Sequence, residues 1–142
     1  MRVYAIYFMI SLLLELLIVG CIAFGPINKP PEKPHNPYPH DGAVDVDLEI
    51  TLSWESSDPE GDPVTFDLYV GTKIVYEESR FGDTEPVLVD PIIVEKGLSE
   101  SSYRLKDLNP NTEYYWKVTA RDSNDLVSEG PLWKFTTKNT DD

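Results

Sequence analysis

The sequence predicts an all-β, antiparallel sandwich from about residue 40 onward, and three observations support this. Apolar and polar residues alternate strictly over residues 114–121, which is the period of a strand with one buried face. Other short runs alternate in the same way, with turn residues between them. No segment after Asp41 has a convincing helical period. Short alternating strands joined by turns are typical of two packed antiparallel sheets.

The individual strands follow from the alternation, after a turn signal at residues 40–42. Residues 86–94 form an interrupted apolar run, and its two prolines favour an edge strand because proline cannot donate to a ladder. Residues 102–105 form a short strand, and residues 132–137 close the sheet. The residues predicted to face the core are Leu48, Ile50, Leu52, Trp54, Val64, Phe66, Leu68, Val70, Tyr114, Trp116, Val118, Ala120, Trp133 and Phe135.

A turn at residues 108–112, followed by Tyr114 and an alternating strand, resembles the corner before strand F of a fibronectin type III domain. In such corners a tyrosine hydrogen-bonds back to the turn, and the resemblance implies that role for Tyr114, with Leu108 and Pro110 in the turn. Trp54 resembles the tryptophan of the family's second strand. The resemblance implies a fibronectin type III-like domain over residues 40–137, followed by a C-terminal tail at 138–142.

The N-terminus is apolar from residue 3 to residue 20, a length between that of a signal peptide and that of a spanning helix. The sequence Ile-Val-Gly-Cys at 18–21 resembles the lipobox of bacterial lipoproteins, which implies cleavage after residue 20 and a diacylglycerol on Cys21. An uncleaved membrane anchor is the alternative, because the apolar residues roughly offset the cost of inserting Glu15. Both alternatives place the domain outside the cytoplasm, in the periplasm or at the cell surface.

Residues 21–39 are predicted to be a proline-rich tether, because prolines favour extended polyproline II. The eighteen residues from 22 to 39 would extend about 55 Å in this conformation. His35 and His40 could be metal ligands there, but without a fixed backbone they are better explained as solvated linker residues.

The composition excludes several classes of function. A net charge of -13 repels polyanions, which argues against nucleic-acid binding. One cysteine excludes an internal disulfide and a multi-cysteine metal site. With that cysteine at the membrane and both histidines in or beside the tether, a Ser-His or Cys-His pair is unavailable. We therefore expect no catalysis and no cofactor, apart from calcium.

The calcium hypothesis starts from the expected strand order, which brings two acidic loops to the same end of the sandwich as the N-terminus. Carboxylates in numbers suit Ca²⁺, although the spacing matches no EF-hand pattern, and solvated, turn-forming acids are the alternative. A pair of these carboxylates could also hydrolyse a glycoside, but turn-rich loops use aspartate for structural reasons. The acidic residues are Asp41, Asp58, Glu60, Asp62, Asp122 and Asp125.

Two surfaces carry residue types that are enriched at binding sites. The first is an insert at residues 72–85, expected at the opposite end of the domain, with Tyr76, Arg80 and Phe81. The second is the outer face of the sheet that contains residues 114–121, and it carries aromatic and cationic side chains. Scattered surface residues are the simpler explanation of both. The outer-face residues are Tyr69, Tyr115, Lys117 and Arg121.

Together these features predict a non-enzymatic, membrane-anchored binding or scaffolding module outside the cytoplasm, with an unidentified protein or polysaccharide partner. A carbohydrate-active accessory or hydrolytic protein and a purely structural spacer are the alternatives. The fold itself names no ligand, because it is a scaffold for many tasks.

Overall fold

The computed structural model describes residues 27–140, which form eleven β-strands and no helix. No helix in this part of the chain could therefore span a membrane. Cys21 and the apolar segment before it lie outside the described residues. The strands are β1 (His35–Tyr38), β2 (Ala43–Val46), β3 (Ile50–Glu55), β4 (Thr65–Gly71), β5 (Ile74–Glu78), β6 (Thr84–Leu88), β7 (Ile93–Leu98), β8 (Ser102–Leu105), β9 (Glu113–Arg121), β10 (Val127–Glu129) and β11 (Trp133–Thr137).

The strands form two packed sheets and a separate hairpin. The smaller sheet has the order β1-β3-β8, and the larger sheet has the order β2-β11-β9-β4-β7, with β10 also paired to β9. All pairings are antiparallel except the one between β2 and β11. The strand β9 lies near the middle of the larger sheet, where Trp116 is opposite Val70 of β4 and Trp133 of β11. The predicted fold class, a fibronectin type III-like sandwich, is confirmed.

The core lies between the two sheets and is rich in aromatic side chains. The ring centroids of Trp116 and Trp133 are 4.7 Å apart, and those of Trp54 and Phe66 are 5.4 Å apart at an interplanar angle of 77°. Aromatic pairs of this kind contribute about 0.5–1.5 kcal/mol beyond the area that they bury. All the residues predicted to face the core do so, and only three at its margin are half-buried, namely Leu48, Ile50 and Val64.

The turn before β9 is fixed by hydrogen bonds to side chains. The Tyr114 hydroxyl accepts a hydrogen bond from the Asn109 N–H at 2.9 Å, which is the contact that the resemblance implies. The buried Thr137 hydroxyl donates to the Asn109 carbonyl at 2.6 Å and accepts from the Thr112 N–H at 2.9 Å. Leu108 is buried and Pro110 is exposed. The first residue of the predicted tail, at position 138, also donates its N–H to the Val46 carbonyl.

The predicted tether is too long, because the chain contacts the sandwich from residue 28 onward. Pro34 is fully buried, the Pro31 carbonyl accepts a hydrogen bond from the Ser128 hydroxyl at 2.6 Å, and β1 pairs with β3. Proline lacks an N–H, but its ring can be buried and its carbonyl can still accept. His35 lies on β1, with Nδ1 3.1 Å from the Lys33 carbonyl. The described part of the predicted tether is therefore not a free spacer.

The insert between β4 and β7 is a hairpin rather than a loop. β5 and β6 pair with each other, so that Val75 is opposite Val87, and Gly82 turns the chain at the tip with a φ of 88°. The predicted edge strand at residues 86–94 is divided, because Pro86 belongs to β6 and only the end of the run enters β7, which is the edge strand. The hairpin was not predicted.

Candidate binding groove

The hairpin lies beside the outer face of the larger sheet. The alternation of β9 buries Trp116 in the core and turns Tyr115 outward. Between Tyr115 and the hairpin is a cavity of about 220 Å³. Its walls combine two tyrosines with aliphatic residues and one pair of opposite charges. The lining residues are Asp41, Ile74, Tyr76, Pro86, Tyr115, Leu132 and Lys134.

A second, larger depression of about 510 Å³ runs along β6. It is lined by residues 85–88 on the hairpin side and by Lys117 and residues 129–132 on the other side. Pro86 and Leu132 line both depressions, so the two join there. We call the joined surface the hairpin groove.

The base of the hairpin is held against the sheet at Gly71. A Cβ atom at Gly71 would lie 3.1 Å from Leu88 Cδ1 and 3.3 Å from Pro91 Cα, so a larger residue would push the hairpin base away from the sheet by a few tenths of an ångström. Just beyond β6, the Val89 N–H donates to the Lys73 carbonyl and the Ile92 N–H donates to the Val70 carbonyl. These contacts fix one wall of the groove relative to the other.

The two lysines of the groove already have carboxylate partners. Lys117 Nζ lies 3.4 Å from Glu129 Oε2, and Lys134 Nζ lies 3.0 Å from Glu113 Oε2. The hydrogen bond to Glu113 raises the pKa of the Lys134 ammonium. The carboxylate of Glu85, in contrast, has no ion pair or hydrogen bond with any described residue. The groove therefore offers an unneutralised negative charge.

Tyr115 is held in place by the same carboxylate. Its hydroxyl donates a hydrogen bond to Glu113. This bond, together with burial and the charge of Glu113, raises the pKa of Tyr115 to about 12. The hydrogen bonds from Tyr115 and Lys134 lower the pKa of Glu113. Glu113 is thus ionised and Tyr115 neutral over the physiological range.

The structure joins parts of the two surfaces that the sequence analysis kept separate. Tyr76 of the insert and Tyr115 of the outer face line one cavity. Tyr69 is adjacent, since Lys117 Nζ is 5.9 Å from its ring centroid. Arg80 and Phe81 lie at the hairpin tip, where Phe81 is 91% exposed, and they do not line the groove. The insert does leave the domain at the end opposite the β9–β10 turn, as predicted.

The predicted binding residues and the residues that line the groove differ in two ways: Arg121 was predicted but lies elsewhere, and several lining residues were not predicted. Arg121 is at the far end of β9, where its Nη1 is 3.7 Å from Asp125 Oδ1. Sequence reasoning missed Pro86, Leu132 and Lys134. The alternation around Trp133 and Phe135 places Leu132 and Lys134 outward, which was a usable signal. No signal showed that a hairpin would lie beside them.

The acidic loops do meet at the end of the sandwich that the N-terminal segment contacts. Asn124 Nδ2 of one loop is 3.4 Å from Asp62 Oδ2 of the other, and Asn28 Nδ2 donates to Asp122 Oδ2 at 2.7 Å. Asp41 does not join them, because its carboxylate accepts a hydrogen bond from the N–H of residue 134 at 2.9 Å. The prediction for Asp41 is therefore wrong.

Within these loops the carboxylates serve the protein's own donors. Asp58 Oδ1 accepts hydrogen bonds from the N–H groups of Glu60 and Asp62, and Asp122 Oδ1 from those of residues 124 and 126. Glu60 pairs with Lys29 at 3.3 Å. Burial raises the pKa of Asp122, but the hydrogen bond from residue 28 and those from the backbone outweigh it, so the pKa lies below its ordinary value.

This arrangement gives the calcium hypothesis no support. Over residues 27–140, no group of three or more histidine, cysteine, aspartate and glutamate side chains is placed so that it could hold a metal ion. The hydrogen bonds above give a structural reason for the acids, because aspartate oxygens cap tight turns by accepting from the backbone. Calcium binding stays a prediction of the sequence alone.

No protein-family model and no curated protein matches the sequence. Solved structures show a similar chain path at low identity. A Fn3-like protein from Clostridium thermocellum is 16% identical, with a TM-score of 0.47 over 80% of this chain and 100% of that one. The fibronectin type-III domain of human fibronectin type III domain containing protein 3 is 22% identical, with a TM-score of 0.46 over 81% and 94%. The PKD domain of an M14-like peptidase from a Thermoplasmatales archaeon is 18% identical, with a TM-score of 0.49 over 80% and 100%.

Proposed function

We propose that this chain is a non-enzymatic, membrane-anchored binding or scaffolding module outside the cytoplasm, and that the hairpin groove is its binding surface. The observation that carries the proposal is the pair of joined depressions between the insert and the outer face of the larger sheet. Concave surfaces that combine apolar walls with a few polar groups are typical ligand sites. Tyrosine is also among the residues enriched at binding hot spots.

The packed N-terminal segment supports a defined orientation for an anchored module. Asn28, Lys29 and residue 32 contact the acidic loops at one end of the sandwich, and the hairpin leaves β4 at the other end. If Cys21 carries lipid, residues 21–26 can span at most about 20 Å. The acidic end would then face the bilayer, and the hairpin would point away from it.

Cross-linking in native membranes tests the binding surface. A photo-reactive amino acid at Tyr76, which is 69% exposed, should form an adduct with a partner. The same substitution at Tyr38, which is 60% exposed on the smaller sheet, is the matched control and should not. The proposal would be overturned if no adduct forms at position 76, or if the adduct yield is the same at positions 76 and 38.

The intact mass of the native protein tests the anchoring. A mass for a chain that begins at Cys21 and carries a diacylglycerol supports the lipoprotein. An unmodified mass that includes residues 1–20 supports the uncleaved anchor. A soluble chain that lacks both features contradicts membrane anchoring in either form.

A carbohydrate-binding accessory role is the second candidate. The cavity places the Tyr76 and Tyr115 side chains beside the Asp41 carboxylate, and polar groups in an apolar site can fix the orientation of a ligand. Polysaccharide pull-down with the wild type and with Tyr76→Ala separates this role from protein binding. Retention that depends on Tyr76 would favour it.

A further inference from the structure

We propose that the hairpin groove binds an extended, cationic segment of a partner protein, with Glu85 and Glu77 as the charges that attract it. This inference rests on the proposed function and adds the chemistry of the ligand. It is argued from charge, from the shape of the groove and from the free edge of β6.

The first argument is an uncompensated pair of like charges. Glu77 and Glu85 are directly opposite each other on β5 and β6. Neither carboxylate has an ion pair or a hydrogen bond with a described residue. Like charges directly opposite each other destabilise a strand pair, so a lysine or arginine between them would remove a repulsion as well as add an attraction.

The second argument is selectivity by charge. Lys117 and Lys134 are engaged by Glu129 and Glu113, so an anionic ligand would have to displace a carboxylate that is already bound. A cationic ligand meets the unpaired carboxylate of Glu85 instead. The net charge of -13 also attracts cations over a long range.

The third argument is the shape of the groove. Four consecutive residues, 85–88, line the larger depression, so it runs along the edge of β6 rather than under one face. At Pro86 the larger depression joins the cavity that Tyr76 and Tyr115 line. The volume of this cavity, about 220 Å³, suits one large side chain. An extended chain, whose side chains alternate, could place an apolar side chain there and a lysine or arginine near Glu85.

The edge of β6 offers only part of a strand ladder. The Val89 N–H donates to the Lys73 carbonyl and the Ser79 N–H donates to the Asp83 carbonyl, which fixes which residue pairs of the hairpin are hydrogen-bonded. Because hydrogen-bonded and non-hydrogen-bonded pairs alternate, the backbone N–H and C=O groups of residues 86 and 88 point away from β5. Pro86 supplies a carbonyl but no N–H. The partner's main chain can therefore make only some of the usual bonds, and charge has to supply much of the affinity.

Two capped synthetic peptides of equal length test the inference on the full chain in nanodiscs of neutral lipid. One alternates leucine with lysine and the other alternates leucine with glutamate. We expect the lysine peptide to bind, with an affinity that falls as salt is raised, and the glutamate peptide not to bind. Equal binding of both, measured by fluorescence anisotropy, would overturn the inference.

The double variant Glu77→Gln/Glu85→Gln should weaken binding of the lysine peptide by about tenfold, a change of about 1.4 kcal/mol. It removes a repulsion, so its thermal midpoint should stay the same or rise, and a loss of binding cannot be attributed to unfolding. The control Glu55→Gln/Glu100→Gln removes the same charge away from the hairpin and should leave the affinity within about twofold. Equal loss in both variants would show non-specific attraction and would refute the groove.

The outcome also separates this inference from the proposed function. If the lysine peptide does not bind but cross-linking at Tyr76 still yields an adduct, the groove binds something else and only the ligand chemistry is wrong. If the groove binds a polysaccharide through Tyr76, the cationic segment is likewise refuted. If no adduct forms and no probe binds, both proposals fail.

Discussion

The nine residues of β9 have two faces with different roles: the inner face packs in the core and the outer face borders the hairpin groove. On the inner face Tyr114, Trp116 and Val118 are buried and packed against the opposite sheet. On the outer face Tyr115 and Lys117 are half-buried and border the hairpin groove. The inner face buries most of the strand's apolar surface, so we expect substitutions on the outer face to cost less stability. The contrast separates what holds the sandwich together from what it can bind.

The sharpest test of this contrast is truncation on each face. Trp116→Ala should destabilise the protein by about 3–5 kcal/mol, because it removes a fully buried ring that contacts Trp54 and Trp133. Since a domain of this size has a free energy of unfolding of roughly 5–15 kcal/mol, the variant should be close to unfolding. Chemical denaturation measures the change.

The adjacent substitution Lys117→Ala is the matched control. It removes a surface ion pair with Glu129, and such pairs contribute about 0–1 kcal/mol. We expect a change of less than about 1 kcal/mol. A large loss at Lys117, or a small one at Trp116, would contradict the division of tasks between the faces.

The inner face was predictable and the hairpin was not, for a physical reason. Alternation fixes which side of a strand is apolar, and burial then follows from two sheets packing together. The hairpin has no such pattern, because β5 reads Ile-Val-Tyr-Glu-Glu and its tip lacks a two-residue turn signal. Its position depends on a close contact at Gly71, which only the folded chain reveals.

The N-terminal proline-rich segment is a second feature that could not be predicted from the local sequence. Their composition predicted an extended chain, but composition does not say whether an extended chain is free. Residues 31–34 are held because Gly130 leaves room for Pro34 and the Ser128 hydroxyl donates to the Pro31 carbonyl. Both partners are about one hundred residues away in sequence, so no local pattern could reveal them.

Replacing each of the two adjacent tyrosines of β9 by phenylalanine should have different, smaller effects on the free energy of unfolding. Tyr114→Phe removes the acceptor for the Asn109 N–H and should cost about 0.5–1.5 kcal/mol. Tyr115→Phe also removes a hydrogen bond, the one to Glu113, but this hydroxyl is only half-buried and water can replace it, so we expect a smaller loss than at Tyr114. Parallel denaturation curves measure both. Equal losses would show that the corner hydrogen bond has no special role.

The smallest expected effect is the pH dependence of stability that arises from Tyr115 and Glu113 on the outer face of β9. The hydrogen bond to Glu113 raises the pKa of Tyr115 from 10.0 to about 12 in the folded protein. A group whose pKa is raised by folding contributes stability below its unfolded value, and that contribution is lost as the pH rises from about 10 to about 12. Glu113 behaves in the opposite sense, because its lowered pKa contributes above the ordinary 4.5 and is lost in acid.

Phenolate absorbance during an alkaline titration follows this step. In Glu113→Gln the carboxylate charge is gone, so the pKa of Tyr115 should fall toward its ordinary value. Tyr103 also has a raised pKa, because its hydroxyl donates to Glu95, so Tyr115→Phe is needed to assign the last step. If that step persists in Tyr115→Phe, another tyrosine is responsible, and Glu113 does not hold the Tyr115 ring at the groove as the geometry requires.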